Sequence, residues 1–495
     1  DMLQSGLKRV LGKWSLTALG VGSVIGAGIF VMTGLAAKEF AGPALALSFV
    51  IAGLGCAFAG LCYAEFASII PVEGSAYAYS FATVGELFAW IIGWDLILEY
   101  SMASSTVAVG WSGYFLKLMG LFHIHLPLWL ANDLYSAKNL LANAMADGTM
   151  ADLSASYSSI DIPTIFGLPV AVNLPAVIIC LTITWILLRG IKEAANTNLL
   201  MVVLKVTVVL FVIVVGAYFI DPRNWDPFIP APALNSQGIM AFGYGGIMAG
   251  AAYVFFAYIG FDTVSTQAGE ARNPRKDVPF GLLVSLLICT VLYISVSLVI
   301  TGMVKYTDLD IKAPIAAAFS DYGLNFAVWL ISIAAVAGLT SVLLVQMLGQ
   351  SRLFLAMAKD GLLPKKIFAE IHPRTKVPYR GTALIGIAVA ITAGLIPIET
   401  IAKLVNIGTL FAFIMVCIAV MMMRSSQPNV NRPFKVPYVY IIAPLGVIFN
   451  LGMMLSLGWE NWMRLFVWLI LGLIVYFSYS QKHSVIRKAM EGKKI

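Results

Sequence analysis

The run at residues 17–37 (TALGVGSVIGAGIFVMTGLAA) constrains the fold of this chain more than any other stretch. It carries no charged residue and is long enough, at about 1.5 Å per helical residue, to cross the ~30 Å hydrocarbon core of a membrane. Its middle holds four glycines: Gly20, Gly22, Gly26 and Gly28. Each glycine weakens a helix by roughly 1 kcal/mol relative to alanine. We predict a membrane helix that breaks at residues 23–28 and leaves backbone amides and carbonyls facing protein or a water-filled cavity.

These glycines have two other interpretations. Gly22 and Gly26 have GxxxG spacing, which permits close packing between membrane helices, and from this segment alone packing explains them as well as a break does. A dinucleotide-binding GxGxxG loop is excluded, because no strand precedes the glycines and their spacing differs from that motif.

Composition places the chain among polytopic helical membrane proteins. Of its 495 residues 60% are hydrophobic and 12% are charged, with a mean hydropathy of +0.88. These values are typical of a helical membrane protein and not of a soluble one. The apolar runs predict twelve spans, near residues 17–37, 43–70, 86–116, 169–188, 195–220, 240–268, 280–304, 324–356, 381–398, 401–423, 438–457 and 462–480.

A second glycine-rich segment, residues 237–270, is interrupted near Gly260 and opens the sixth predicted span. Two broken helices that each open a block of five spans indicate an inverted-repeat transporter with its site at the repeat interface. The predicted organisation is a cytoplasmic N-terminus (1–16), a first repeat (17–220) with an outer loop (117–168), a second repeat (237–424), two further spans (438–480) and a cytoplasmic C-terminus (481–495).

Basic residues fix the predicted orientation. Most of the 32 Lys and Arg residues lie in the N-terminus, the even-numbered loops and the C-terminus, so the positive-inside rule places both termini in the cytoplasm. The net charge of +7 follows from this sidedness and needs no nucleic-acid partner. We expect no cleaved signal peptide, because the first apolar run is long enough to remain as a span.

Three of the charged residues within the predicted spans are candidates for function. Lys205 is about ten residues inside the fifth span, where an unpaired charge costs ~2.5–3.5 kcal/mol, so we expect it to face the interior rather than snorkel. Glu99 is deep in the third span and either forms a helix-packing hydrogen bond or contacts a cationic ligand. Asp262 directly follows the second break and is a candidate proton-sensitive gate residue.

The ordered motifs of the chain resemble those of the cationic amino acid transporter family, within the amino acid–polyamine–organocation superfamily. They are GVGSVIGAGIF (20–30), GPALALSFVIAGL (42–54), AGLCYAEF (59–66), GSAYAYSF (74–81), VGELFAWIIGWDLILEY (84–100), EARNPRKDVP (270–279), RLFLAMAKDGLLP (352–364) and RTKVP (374–378). The resemblance covers roughly residues 10–420 and is that of a bacterial member of the family. It implies an all-α, LeuT-like 5+5 inverted repeat of twelve transmembrane helices, with helices 1 and 6 broken and two extra C-terminal helices, and transport of amino acids.

The resemblance also implies where a substrate would bind. The amides of Gly26, Ala27 and Gly28 would take its carboxylate, since helix N-termini bind anions. Freed carbonyls would take its ammonium, at two places: around Val24 and Ile25, and around Phe256, Ala257 and Ile259. Phe256 matches the aromatic gate of relatives, although ordinary packing of a phenylalanine remains an alternative.

The ammonium of Lys205 would take the position of a sodium ion in other members of this fold. The partners implied for it are the Gly22 carbonyl and the hydroxyls of Thr340 and Ser341. Removal from water disfavours a charged ammonium, which brings its titration toward the range of a proton gradient.

These observations predict a proton-coupled symporter of L-amino acids, cationic such as arginine and lysine or small neutral such as alanine, in the plasma membrane. An exchanger without net proton coupling and a transporter-like sensor are the alternatives. A channel would show a continuous polar stripe, and an enzyme a catalytic set that we do not find. The five cysteines lie in apolar runs, so we expect no metal site or cofactor. Nothing in the sequence indicates whether an accessory subunit is needed.

Overall fold

A computed structural model describes residues 11–69, 77, 85–189, 194–235, 240–261, 264, 271–311, 313–373 and 377–490. Within these ranges the protein is mostly helical, with two short β-hairpins. The helices run between two faces of the molecule. We call the face that carries Leu11 and Val485 the terminal face, and the opposite face, which carries the connection after residue 121, the loop face.

The first glycine-rich segment forms two helical pieces. Helix α1 (Lys13–Val24) ends at the glycines, and the chain resumes as α2 (Thr33–Ala36) with π-helical turns on both sides, Gly28–Met32 and Ala37–Ala41. A 3-10 turn (Gly42–Ala44) then leads into α3 (Leu45–Ile69). The interruption lies at Ile25 and Gly26, inside the segment predicted to be broken.

The rest of the first half comprises one long helix, a folded connection and two apolar helices. Its helices are α4 (Glu86–Leu121), α5 (Leu128–Ala131), α6 (Leu134–Asp147), α7 (Met150–Ser156), α8 (Leu174–Arg189) and α9 (Ala194–Ala217). Between α7 and α8 stands a hairpin of β1 (Thr164–Ile165) and β2 (Leu168–Pro169). The connection predicted as an outer loop (117–168) therefore holds three short helices, together with the hairpin.

The second half starts with the other hairpin, β3 (Ala233–Leu234) and β4 (Met240–Ala241). Its first helix, α10 (Gly243–Val254), is followed by a 3-10 turn (Phe255–Tyr258). The later helices are α11 (Pro274–Met303), α12 (Pro314–Asp321), α13 (Asn325–Lys359), α14 (Lys365–Phe368), α15 (Tyr379–Leu395), α16 (Ile398–Ser426), α17 (Val439–Ser456), α18 (Trp459–Val475), α19 (Gln481–His483) and α20 (Val485–Met490).

Several of these helices are suited to a membrane. Six stretches in the described part of the chain have the length and apolar composition to cross one: Gly28–Ile69, Pro274–Met303, Asn325–Lys359, Ile398–Ser426, Val439–Ser456 and Trp459–His483. Shorter apolar helices occur at Leu174–Arg189, Met201–Ala217 and Tyr379–Leu395. The 36-residue α4 is longer than any of these shorter helices and carries Asp95 and Glu99 in its interior.

Helix packing divides the molecule into two groups. In the first group α11 packs on α1 and α3, and α3 packs on α10; in the second group α4, α8, α13 and α15 pack on one another. Helix α9 contacts α1 and α11 of the first group and α13 of the second, while α16 packs on both α3 and α4. Each broken helix therefore belongs to the first group, and the junction between the groups runs past both breaks.

Ionic and polar contacts tie the terminal face together. The Glu65 carboxylate accepts two hydrogen bonds of 2.7 Å from Arg424 and one of 2.8 Å from the Val436 amide. This ion pair joins α3 to the end of α16. Breaking such a pair would leave a buried charge without compensation, so we assign Glu65 a structural role.

Candidate functional site

The first break exposes the polar ends of two helical pieces to one another. Ile25 is extended (φ −71°, ψ 101°), and its amide is bonded to Val21 at 2.9 Å. Helical bonding resumes where the Phe30 amide donates to the Gly26 carbonyl at 3.3 Å. The first amides of a helix have no acceptor in their own helix. The backbone of Gly26, Ala27 and Gly28 thus forms a helix N-terminus inside the protein, where an anion is favoured.

The second break lies against the first. After the 3-10 turn, Ile259 is extended (ψ 135°) and Gly260 has φ +107°, a conformation that glycine adopts without strain. The Ser23 hydroxyl donates to the Gly260 carbonyl at 2.9 Å. A β-carbon on Gly28 would overlap the backbone of Ala257. The two broken segments therefore touch there only because Gly28 has no side chain.

Tyr293 of α11 joins the two breaks, and our reading of the sequence missed it. Its hydroxyl lies 2.9 Å from the Val24 carbonyl and 2.8 Å from the Ala257 carbonyl. A hydroxyl has one proton to donate, so only one of these carbonyls receives a full hydrogen bond at a time. The other remains available to a second donor. A tyrosine in an apolar helix gives no sequence signal for this role.

The carbonyls at the end of α10 are also engaged by a residue that the sequence did not single out. The Asn406 amide nitrogen of α16 donates to the carbonyls of Ala252 and Tyr253, each at 2.8 Å. These bonds satisfy groups that a helix C-terminus leaves without intrahelical partners. Helix α16 therefore holds the loop-face half of the second broken segment in place.

Lys205 is fully buried and bonded to the first break. Its ammonium donates to the Gly22 carbonyl at 2.6 Å and to the Ile25 carbonyl at 3.1 Å. These carbonyls lie at the C-terminal end of α1, where the helix dipole favours a positive charge. In the described part of the chain, no carboxylate lies within 4.0 Å of this ammonium.

A glycine of α13 makes room for the lysine stem. A β-carbon on Gly338 would lie 2.6 Å from Cδ of Lys205 and 2.7 Å from its Cγ. Lys205 thus crosses from α9 between α1 and α13. Its stem lies against the backbone of α13, and its ammonium bonds to carbonyls of α1. Gly338 gives no sequence signal for this role, because a glycine in an apolar helix is common.

The Thr340 hydroxyl, one of the two implied as partners of Lys205, bonds elsewhere in the structure. The Thr340 hydroxyl donates to the Val336 carbonyl at 2.7 Å and accepts from the Trp111 indole at 2.9 Å. It therefore links α13 to α4, while the bonds that the structure gives Lys205 go to α1. Ser341 follows Thr340 on the same helix.

The remaining predicted site residues are enclosed by protein. Val24, Ala27, Phe256, Ala257 and Ile259 are buried, so the space around the breaks is closed to solvent in this conformation. A substrate could reach it only after helices move.

The acidic candidates fall into three situations. Glu99 is buried in α4. Asp95, one turn earlier, is also buried, and its carboxylate oxygens have no hydrogen-bond partner among the described residues. Asp262 lies outside the residues that the structure describes.

An acidic contact outside the membrane-spanning segments closes the terminal face. The Tyr77 hydroxyl donates to Asp360, at the end of α13, at 2.7 Å. Burial raises the pKa of Asp360, and this hydrogen bond partly opposes the shift. The chain after α18 covers the same place: the Val485 amide donates to the Asp360 carbonyl at 3.0 Å, and the Ser480 hydroxyl to the Leu362 carbonyl at 2.6 Å.

Known proteins match this chain along most of its length. The sequence profile of the family described as amino acid permease matches residues 11–479. The chain is 44% identical over 486 residues to the branched-chain amino acid permease BcaP of Bacillus subtilis (strain 168), covering 98% of this chain and 96% of that one. It is 43% identical over 482 residues to the methylthioribose transporter of the same organism, covering 97% and 95%.

A more distant relative matches part of a longer protein. Cationic amino acid transporter 4, vacuolar, of Arabidopsis thaliana is 37% identical over 424 residues, which are 86% of this chain and 64% of that one. These relatives are transporters and not enzymes. The match along almost the whole chain and the identity to these relatives show that the protein is a membrane transporter of the amino acid permease family, within the amino acid–polyamine–organocation superfamily.

Proposed function

We propose that the protein takes up L-amino acids together with protons by alternating access. The observation that carries this proposal is the meeting of the two helix breaks, at Ser23 with Gly260 and at Gly28 with Ala257. An amino acid always presents a carboxylate and an ammonium. Two broken helices side by side offer amides for the first and carbonyls for the second.

The substrate carboxylate would bind the amides of Gly26, Ala27 and Gly28, where the helix restarts. The substrate ammonium would bind carbonyls of Val24 or Ala257, which now share the Tyr293 hydroxyl. In this scheme the ammonium supplies the donor that a single hydroxyl cannot give to both carbonyls. Phe256 would close over the bound molecule, and Ile25 and Ile259 would contribute further carbonyls.

In this proposal the substrate range depends on the residues that would surround the side chain of the substrate. Glu99 is buried and would pair with a cationic side chain such as that of arginine or lysine. Small neutral amino acids such as alanine would bind through the backbone contacts alone. The name of the Bacillus relative adds branched-chain amino acids to the compounds that need testing.

Proton coupling would pass through Lys205. When protonated, it holds the end of α1 through the Gly22 and Ile25 carbonyls while its stem lies against Gly338 of α13. Loss of the proton would remove the charge that attracts both carbonyls. Helix α1 could then tilt away from α13 and open a path toward the terminal face. Ser341 and Asp262 are further candidates for this coupling.

Alternating access would use the two packed groups of helices. The first group, α1, α3, α10 and α11, would rock against α4, α8, α13 and α15, as expected for a LeuT-like pair of inverted repeats. We infer a plasma-membrane location with both termini cytoplasmic, because most of the Lys and Arg residues lie in the N-terminus, the even-numbered loops and the C-terminus.

Uptake into proteoliposomes tests the mechanism. We expect an inward proton gradient to drive accumulation of arginine or alanine with or without sodium. Lys205→Ala should abolish the gradient-driven part, whereas Lys138→Ala, on the exposed α6, should not change it. A sodium requirement, or undiminished accumulation by Lys205→Ala, would contradict the proposal.

Other modes of action give different results in the same vesicles. An exchanger would take up labelled substrate only when the vesicles are preloaded with an amino acid. A sensor would bind substrate without accumulation. For substrate range, excess alanine, leucine or methylthioribose is added against labelled arginine, and failure of alanine to compete would contradict a pocket shared by cationic and neutral substrates.

A further inference from the structure

A small apolar hairpin on the loop face exposes its hydrophobic side chains. Strands β1 and β2 pair Ile165 with Leu168, and Phe166 and Gly167 form the turn. Ile165 is 54% exposed, Leu168 69%, and Phe166 is fully exposed. Large apolar side chains grouped at the tip of a loop mark a surface that meets a partner or a membrane.

The turn carries a phenylalanine in a conformation that disfavours it. Phe166 has φ +52° and Gly167 φ +79°, so both turn residues adopt the left-handed region. Two-residue hairpin turns of this kind prefer asparagine followed by glycine, and a bulky residue with positive φ is strained. Local strain of this type is found where a side chain has a function. An aromatic ring at the tip thus serves something other than the turn itself.

The hairpin is fixed to the end of a lipid-facing helix. The Val172 amide donates to the Trp129 carbonyl at 2.7 Å, and the Asn173 amide donates to the Gly394 carbonyl at 2.9 Å. Helix α8 begins at the next residue, Leu174, beside the end of α15. The hairpin therefore stands where α8 and α15 reach the loop face.

The surface below the hairpin is apolar. Its exposed side chains on α8 and α15 are Ile178, Leu181, Trp185, Ile387, Ile391 and Leu395. A groove between the two helices is lined by apolar residues that include Val172, three residues after the hairpin. The exposed hairpin side chains thus continue a surface that faces the acyl chains of the bilayer.

We propose that Ile165, Phe166 and Leu168 insert into the interfacial layer of the membrane on the loop face. The partner is the lipid surface, because three side chains offer far less than the ~1,200 Å² that a stable protein interface buries in total. A hairpin already tethered to a membrane helix needs no such area. The segment 157–173 contains one charged residue, Asp161, and no lysine or arginine, so apolar insertion rather than attraction to anionic head groups would hold it.

Insertion would anchor the connection that carries α6 and α7. The Leu128 amide bonds to the Ser159 carbonyl at 2.8 Å, and the Ser158 amide to the Leu126 carbonyl at 3.2 Å. These bonds couple the hairpin segment to the start of the connection. The membrane would then hold the connection that carries α6 and α7 beside α8 and α15 in every transport state.

Spin labels on the full chain in phosphatidylcholine vesicles test the proposal. Phe166→Cys and, as a matched control on the exposed face of α6, Asn143→Cys are labelled, while the five native cysteines are buried; the unmodified chain measures background labelling. We expect oxygen to relax the label at position 166 several-fold more strongly than a water-soluble nickel chelate does. The label at position 143 should show the opposite preference.

Two outcomes would overturn the proposal. Nickel access at position 166 equal to that at position 143 would place the hairpin in water. Low access to both reagents that depends on the protein-to-lipid ratio would mean that a second copy covers it.

A second variant separates the function of the ring from folding. Phe166→Asn should relieve the strained turn, so melting in detergent should be unchanged or raised. In vesicles, a label at Ile165→Cys should become several-fold more accessible to nickel when Phe166→Asn is added. An unchanged nickel accessibility would show that the ring does not anchor the hairpin.

Discussion

At the scale of single residues, the candidate site depends on the missing side chain of Gly28 and on the single hydroxyl proton of Tyr293. Gly28 lets two backbones touch, because a β-carbon there would overlap Ala257. Tyr293 has a single hydroxyl proton for two carbonyls. Both features leave backbone polar groups of the breaks in reach of a ligand.

Gly28→Val tests the contact between the breaks. The added side chain should push the helix restart away from Ala257 and reduce substrate affinity at least 100-fold, about 2.7 kcal/mol, while the protein still purifies as a folded species. Calorimetric titration in detergent measures the affinity. Gly245→Val is the control, since a β-carbon there meets open space. Retained binding by Gly28→Val would remove the backbone of residues 26–28 from the site.

Tyr293→Phe tests the shared hydroxyl. Its removal leaves two buried carbonyls without this donor, at a cost of about 1–3 kcal/mol for an unsatisfied group, so the substrate-free protein should melt at a lower temperature. Because a substrate ammonium can replace the donor, saturating substrate should raise the melting temperature more in the variant than in the unmodified protein. Tyr244→Phe, at an exposed position, is the control. An equal loss with and without substrate would mean that the hydroxyl is only structural.

At the scale of helices, α13 supports the lysine of α9 by leaving space for it. Lys205 reaches α1 past Gly338, and Trp111 of α4 holds the adjacent Thr340. The position of the ammonium is therefore set by two helices other than its own, α1 and α13. In the proposed mechanism, the close packing of α13 is therefore part of the coupling site.

Gly338→Ala should displace the Lys205 ammonium from the Gly22 carbonyl, because the new methyl group would lie 2.6 Å from Cδ. We expect proton-driven uptake to fall about 10-fold, which is about 1.4 kcal/mol. Exchange in vesicles without a proton gradient should fall less. Gly349→Ala on the same helix, where a β-carbon would be 3.4 Å from the Tyr100 ring, is the matched control. If Gly338→Ala lowered proton-driven uptake and exchange by the same factor, the result would indicate misfolding of α13 rather than loss of coupling.

At the scale of the whole molecule, the terminal face is closed by contacts between distant parts of the chain. Tyr77 reaches Asp360, and the segment after α18 bonds to Asp360 and Leu362. Any opening toward the terminal face that moves the end of α13 has to carry this segment along or break these bonds.

The raised pKa of Asp360 predicts a pH dependence of stability. Its folded-state pKa lies above the unfolded value, so the ionised carboxylate lowers stability at neutral pH. That cost disappears as the pH falls through the raised pKa toward the unfolded value. Asp360→Asn, which keeps an acceptor for Tyr77, should therefore melt slightly higher at neutral pH, and the difference should shrink on acidification. A difference that grows on acidification would contradict this assignment.

Much of the architecture followed from local sequence. The break at Ile25 and Gly26 could be predicted because glycine lowers helix stability without any help from neighbours. The burial of Lys205 was expected because an unpaired charge in lipid is costly, whereas its bond to Gly22 was expected only from the family resemblance. Helix ends were less accurate: α4 was predicted to end at residue 116 and ends at Leu121, and α11 begins at Pro274 rather than residue 280.

The sequence by itself determined that this chain forms apolar helices, that the first glycine-rich helix breaks and that one lysine lies inside. Those outcomes depend on length, charge and glycine content within one segment. Only the tertiary structure decided that Tyr293 joins the breaks, that Gly338 receives the lysine stem and that Thr340 bonds to Trp111. Such contacts join residues far apart in the chain, and which of them meet depends on how the helices cross, because every apolar helix face can pack against several others.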